Sequence, residues 1–342
     1  MGNPELVALP LGFERFHRRD FINYQLNRAH ALGFADRQEL FDAAAHLRSM
    51  DDCAPVFESL SSRAAAEGRY RQAAGHARIA EFSTPPRTVQ KTDRYRRYLE
   101  VFDTAFTDAA IVRHKVPYAG AALPAYALPA SGLPAGGTVR LHGGFDSLIE
   151  EFFPVCQRVA AAGFDVIAFE EPGQGGARTV HGLTADHDWE KPVAAVLDHF
   201  RLDRAGLVGI SMGGYWALRA PGRESRIHSV VAWPPVYDWM HRLPPVLRAP
   251  VRTMVRHRGL HAVERAQPFP AVADPACGGR SGAVHARKRG PGRCRRVVPG
   301  HECRTLEQRA DGPGRPAGVR RARRLPAAIT DSSTSSSACG RP

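Results

Sequence analysis

Ser211 stands in Gly209-Ile210-Ser211-Met212-Gly213, a G-x-S-x-G pattern. A serine hydroxyl becomes a useful nucleophile when a base takes its proton and the side chain protrudes toward a carbonyl carbon. Glycines at the two flanking positions remove the Cβ atoms that would crowd a tight strand-to-helix corner, the backbone setting this chemistry needs. A second group is His142-Gly143-Gly144-Phe145-Asp146. Glycines there let a substrate oxygen approach the main chain. Two backbone N–H groups aimed at a tetrahedral oxyanion can each lower the barrier by about 3–4 kcal/mol. Met212 N–H is the expected first donor of this oxyanion hole, and Gly144 or Phe145 N–H the second. Attack by Ser211 on a carbonyl is the chemistry these residue types suit.

The elements around these residues must deliver them to one place. Ala205 to Ile210 reads as a buried strand running into Ser211, and Met212 to Arg219 as the helix behind it. Thr138 to Leu141 is a short strand ending at His142, and Ser147-Leu148-Ile149-Glu150 is a capping box for the helix that follows. Phe164 to Phe169 is another apolar strand, with a glycine-rich loop from Pro172 to Gly176. That loop lacks the Lys-Ser/Thr ending of a phosphate-binding loop. Trp189 to Phe200 is a helix capped by Asp188, and Arg226 to Trp233 one more strand. Ile111 to Tyr118 and Ala121 to Leu128 form a hairpin turning at Ala119-Gly120. Strands alternating with helices imply a doubly wound, mostly parallel sheet covered on both faces.

Residues 1–108 read as helical: Asp36 to Arg48 opening on an Asp36/Glu39 capping box, two helices separated by Gly68, and Lys91 to Phe106. They form either a structural bundle or a cap over the site. Residues 109–270 hold the α/β core. From residue 271 the text changes: no Phe, Tyr, Trp or Met occurs, and Arg, Gly, Pro and Ala dominate. Residues 273–342 carry 15 Lys or Arg against 5 Asp or Glu, so of the net charge of +13 only +3 belongs to residues 1–272. Such a tail has too little apolar area to offset its ordering entropy and is expected to be disordered. A frameshift in a GC-rich gene would also produce it.

Four motifs carry a resemblance. They are His142-Gly-Gly-Phe-Asp-Ser147 with Glu150-Glu151, Phe169-Glu-Glu-Pro-Gly-Gln-Gly-Gly176, Asp188-Trp-Glu190 and Gly209-Ile-Ser-Met-Gly-Gly-Tyr215. Their order and spacing over about residues 15–240 resemble one branch of the α/β-hydrolases. It includes the 2,6-dihydroxypseudooxynicotine hydrolases and the fungal polyketide-shortening hydrolases of pigment synthesis. The resemblance implies an α/β-hydrolase sheet with an N-terminal helical lid. It also implies a Ser–Asp–His triad without cofactor, cleaving C–C bonds next to ketones, or acyl and ester bonds. His142, Asp146, Trp233 and Tyr237 are candidates for the substrate pocket, with core packing the alternative for the last two.

The triad order Ser, acid, His places the last two in the C-terminal third. Asp274, Asp311, His285 and His301 occur there, but none follows a recognisable strand, so the acid and the histidine stay unassigned. The competing reading is a catalytically impaired, hydrolase-like binding protein or a frameshifted product. Cys53 and Cys156 read as buried hydrophobes, and the four later cysteines contain no C-x-x-C pair, so no metal site is expected. No run of eighteen apolar residues, signal peptide or myristoylation signal is evident, which predicts a cytoplasmic protein. The expected partner is a small-molecule substrate. Nucleic acid and membrane are not expected, since the basic tail has no aromatic residue for base stacking. A homodimer is left open.

Overall fold

The computed structural model describes residues 6–131, 136–185 and 188–233, together with the backbone of strands 284–288 and 294–297. Five helices come first: α1 (Asp20–Ala31), α2 (Arg37–Ala44), α3 (Cys53–Ala66), α4 (Tyr70–Phe82) and α5 (Val89–Ala105). Local side chains set their ends. The Asp36 carboxylate accepts from Gln38 N at 2.8 Å and Glu39 N at 3.2 Å, which opens α2. Glu39 does not complete the expected box: it pairs with Arg69 at 2.9 Å, and α2 stops at Ala44 rather than Arg48. Gly68, at φ +76°, lets α3 close with Arg69 N on Ala64 O and Gly68 N on Ala65 O.

The strands are β1 (Val112–Tyr118), β2 (Ala121–Leu128), β3 (Thr138–His142), β4 (Asp165–Phe169), β5 (Ala205–Ile210) and β6 (Ile227–Trp233). Ala119 and Gly120 both take positive φ, 48° and 75°, the two-residue turn that matches strand twist. The sheet order is β1-β2-β4-β3-β5-β6, with β4, β3, β5 and β6 mutually parallel and β1 and β2 antiparallel. The remaining helices are α6 (Phe153–Ala161), α7 (Gly175–Thr179), α8 (Glu190–His199) and α9 (Met212–Arg219).

One face of the sheet buries Ile167, Phe169 and Leu207 under α8 and α9, where Trp189 stacks on Trp216 with centroids 3.9 Å apart. The other face buries Tyr126, Leu141 and Val166 under α6 and the N-terminal helices. Phe102 and Phe106 of that helical region meet Phe153 at 5.5 and 4.5 Å. Buried ion pairs join the same two layers: Glu151 binds Arg28 and Arg78, each at 2.7 Å, and Arg78 also binds Glu81. The boundary near residue 108 is thus a boundary in the chain, while the packing runs across it.

Three expectations are corrected. Ser147 does not cap the helix after the glycine-rich turn. Its hydroxyl accepts from Gly144 N, and Glu151 rather than Glu150 reaches back, to Leu148 N at 2.8 Å. Glu150 is taken by Arg113 at 2.8 Å. At α8 the N-cap position is Trp189, with no side-chain cap bond, while Asp188 pairs with Lys191 at 2.5 Å. Finally, the region after 271 is not strandless. The backbone of β7 (Val284–Lys288) runs antiparallel to β6, and β8 (Cys294–Val297) antiparallel to β7. Short edge strands need backbone pairing more than large apolar side chains, and they tolerate Arg and Lys. The edge of β6 is therefore paired rather than open.

Candidate active site

Ser211 sits between β5 and α9 at φ 59°, ψ −121°, a backbone region a side chain rarely adopts. Its N–H donates to Trp233 O at 2.9 Å, and its carbonyl accepts from Gly214 N at 2.9 Å. The first bond extends the β5–β6 ladder through the corner, and the second closes the turn into α9. Crowding explains the glycines. A Cβ on Gly209 or Gly213 would run into the Gly213 or Gly143 carbonyl. A Cβ on Gly144 would fall 2.5 Å from Ile210 O, 2.9 Å from Met212 N and 3.0 Å from Ser211 Cβ. The two glycine motifs, far apart in sequence, are thus in contact, because β3 and β5 pair in parallel with His142 opposite Gly209.

The oxyanion candidates separate. Gly144 N–H is committed to Ser147 Oγ at 2.8 Å. Met212 N–H is in the first turn of α9, where no intrahelical acceptor exists. Asp146 sits at φ 59°, its N–H donating to Gln174 Oε1 at 2.9 Å and its carbonyl accepting from Arg78. His142 does not face an open pocket. It is fully buried, with Nδ1 bonded to Glu171 Oε1. Trp233 is 47 % exposed at the end of β6, in register with Ile210. Tyr237 lies outside the described residues, as do Asp274, Asp311 and His301. His285 lies on β7, opposite Val231.

A cleft opens beside the Gly143–Phe145 turn, at the carboxyl ends of β3 and β4. Arg78 and Glu81 of α4 and Lys91 of α5 form one wall, Asp146 and Ser147 another, and Arg178 of α7 a third. Lys91 Nζ bonds Glu81 Oε1 at 2.6 Å. Further in, the Glu170 carboxylate accepts from Gly176 N at 2.5 Å and Tyr95 OH at 3.5 Å. Burial, with Glu150 close by, pushes its pKa well above the usual carboxylate range. Glu171 is also raised by burial, an effect His142 opposes. Among the described residues, no three His, Cys, Asp or Glu side chains assemble as a metal site would require.

The sheet order, the serine on its strained corner and the glycine turn against it form one recognisable arrangement. A family model described as alpha/beta hydrolase fold matches residues 139–257. The chain has the α/β-hydrolase fold. The crystal structure of the 2,6-dihydroxy-pseudo-oxynicotine hydrolase superposes with a TM-score of 0.53 at 21% identity, over 69% of this chain and 74% of that one. AbyA5 superposes with a TM-score of 0.54 at 20% identity, over 65% and 70%. In sequence, hydrolase acrC of Aspergillus aculeatus is 30% identical over 51% of this chain and 47% of its own length. Hydrolase phmG of Phaeosphaeria nodorum is 41% identical over 28% and 24%, and the 2,6-dihydropseudooxynicotine hydrolase of Paenarthrobacter nicotinovorans 30% over 35% and 34%. The chain spans less than half the length of each of these three relatives.

Sequence reasoning on this α/β-hydrolase fold missed the buried acids. Glu170 and Glu171 follow directly on the apolar run Val166 to Phe169. Two carboxylates at the end of a buried strand were a usable signal, because such groups stay buried only with partners. The partners themselves, His142 for Glu171 and Arg78 for Glu151, are 29 and 73 residues away and carry no local mark.

Proposed function

We propose that this protein is a serine hydrolase that cleaves a C–C bond next to a ketone, or an ester or thioester, in an aromatic or polyketide-like small molecule. The observation that carries the reading is Ser211 at φ 59° on a strand-to-helix corner with Gly144 packed against it. In this reading Ser211 Oγ attacks the substrate carbonyl, and Met212 and Phe145 N–H receive the oxyanion. The N-terminal helices act as the lid, with the cleft between α4, α5 and the oxyanion loop admitting substrate. The relatives named hydrolases support the class. The reaction needs no cofactor, and the protein works in the cytoplasm without a nucleic-acid or membrane partner.

A fluorophosphonate or sulfonyl fluoride probe is expected to label Ser211, and Ser211→Ala to abolish labelling while the protein stays folded by circular dichroism. Labelling of another serine would reject the assignment. A second reading, an impaired hydrolase-like protein, is favoured by one fact: among the described residues, no histidine paired with an acid is placed on Ser211. Translating the coding DNA beyond codon 255 in the other two frames decides between them. A strand followed by an Asp and later a His supports the enzyme.

A further inference from the structure

His142 and Glu171 are both buried, at 0 % and 1 % exposure, at the carboxyl ends of β3 and β4. His142 Nδ1 bonds Glu171 Oε1 and lies 3.3 Å from Gly143 O. Among the described residues Nε2 has no hydrogen-bond partner, and the ring lies against Phe169 and Trp189 at 5.3 and 5.8 Å. A hydrogen on Nδ1 fits this setting: it donates to Glu171, while Nε2 turns an unprotonated edge to the aromatic wall. The ring also reaches the nucleophile corner, since a Cβ on Gly213 would fall 2.9 Å from Nδ1. One side-chain pair therefore touches the end of β3, the end of β4 and the first turn of α9.

We propose that Glu171 and His142 are positioning residues that hold the Gly143–Phe145 turn in register with Ser211, by fixing the imidazole in one tautomer and one orientation. Neither touches substrate. The role rests on the nucleophilic reading of Ser211. A buried ionisable pair adds little stability over well-packed apolar residues of similar size, so its presence here points to geometry. Displacement of the turn by about 1 Å would slow reaction at Ser211 on the order of 10²-fold.

The test uses the full chain and two readouts: hydrogen exchange of the 141–148 peptide by mass spectrometry, and the rate at which a fluorophosphonate labels Ser211. Glu171→Ala is expected to speed exchange in that peptide and slow labelling about 10²-fold. Glu171→Gln keeps an oxygen that accepts from Nδ1–H and is expected to restore most of both. A lower melting temperature in Glu171→Ala with unchanged exchange and labelling would overturn the role, as would a Gln variant no better than Ala. An unlabelled parent chain defeats the nucleophile reading and this role with it. A labelled parent with unchanged exchange in Glu171→Ala defeats the positioning role alone.

Discussion

The two flanks of the parallel core are built on different principles. On one side, α4 and α5 meet the sheet through Phe102, Phe106, Tyr126 and Phe153, and through carboxylates and guanidinium groups with almost no exposure. On the other side, β6 is continued by β7 and β8, whose residues are Val-His-Ala-Arg-Lys and Cys-Arg-Arg-Val. That flank offers backbone pairing and little apolar area. The first flank also touches the cleft and the glycine-rich turn after β3, through Arg78 on the Asp146 carbonyl. Stability and the candidate chemistry are therefore coupled on the helical side.

Removing residues 1–105 is the most severe way to break this comparison. It would uncover Tyr126, Leu128, Ile149 and Phe153, and the expected outcome is aggregation. A truncated protein that elutes as a single folded species in size-exclusion chromatography would show that the helices are an add-on. Arg78→Met is next. It leaves Glu81 and Glu151 with one fewer cation in a buried site, at a cost of about 3–5 kcal/mol. Arg226→Met, on the β6 side, removes one pair to the largely exposed Asp198 and one to the buried Glu224, and a smaller loss than for Arg78→Met is expected because only one of its two acids is buried. Urea midpoints of the two variants measure the contrast, and equal losses would contradict it.

His76 of α4 gives a milder handle. Burial lowers its pKa from 6.5 to about 4. The unfolded chain binds a proton that the folded one refuses between those values, so this contribution is present above pH 6.5 and lost as pH falls toward 4. The loss approaches about 3 kcal/mol at the acid end. His76→Leu is expected to flatten that limb of a stability-versus-pH series, and a wild-type curve already flat there would refute it. A modest effect is expected from ending the chain before Val284. Because β7 and β8 bring mainly backbone bonds, the loss of stability is expected to be below that of Arg78→Met by thermal unfolding. A larger loss would mean that the second flank carries the fold.

Much of this was legible in the residues. Period-2 and period-3.6 patterns marked the strands and helices of residues 109–233, and G-x-S-x-G after the buried strand Ala205–Ile210 marked the corner. Glycine spacing at 209, 213, 143 and 144 is a local backbone requirement, so it shows in sequence. What failed was anything depending on where a side chain points. Ser147 looked like a cap and serves Gly144. His142 looked like a pocket residue and is sealed against Glu171. The charged strands β7 and β8 carry no apolar period to betray them.

The sequence by itself determined the strands and helices of residues 109–233, the strand-to-helix corner at Ser211 and its glycine neighbours, because turn sterics and hydrophobic periodicity act over a few residues. Only the tertiary structure decided which glycine N–H is already spoken for, and that Glu151, Arg28 and Arg78 bind the helices to the core. It also set a buried His–Glu pair behind the site. Those outcomes depend on desolvated charges finding partners across 29 to 123 positions of chain, a distance over which sequence pattern carries no geometric information.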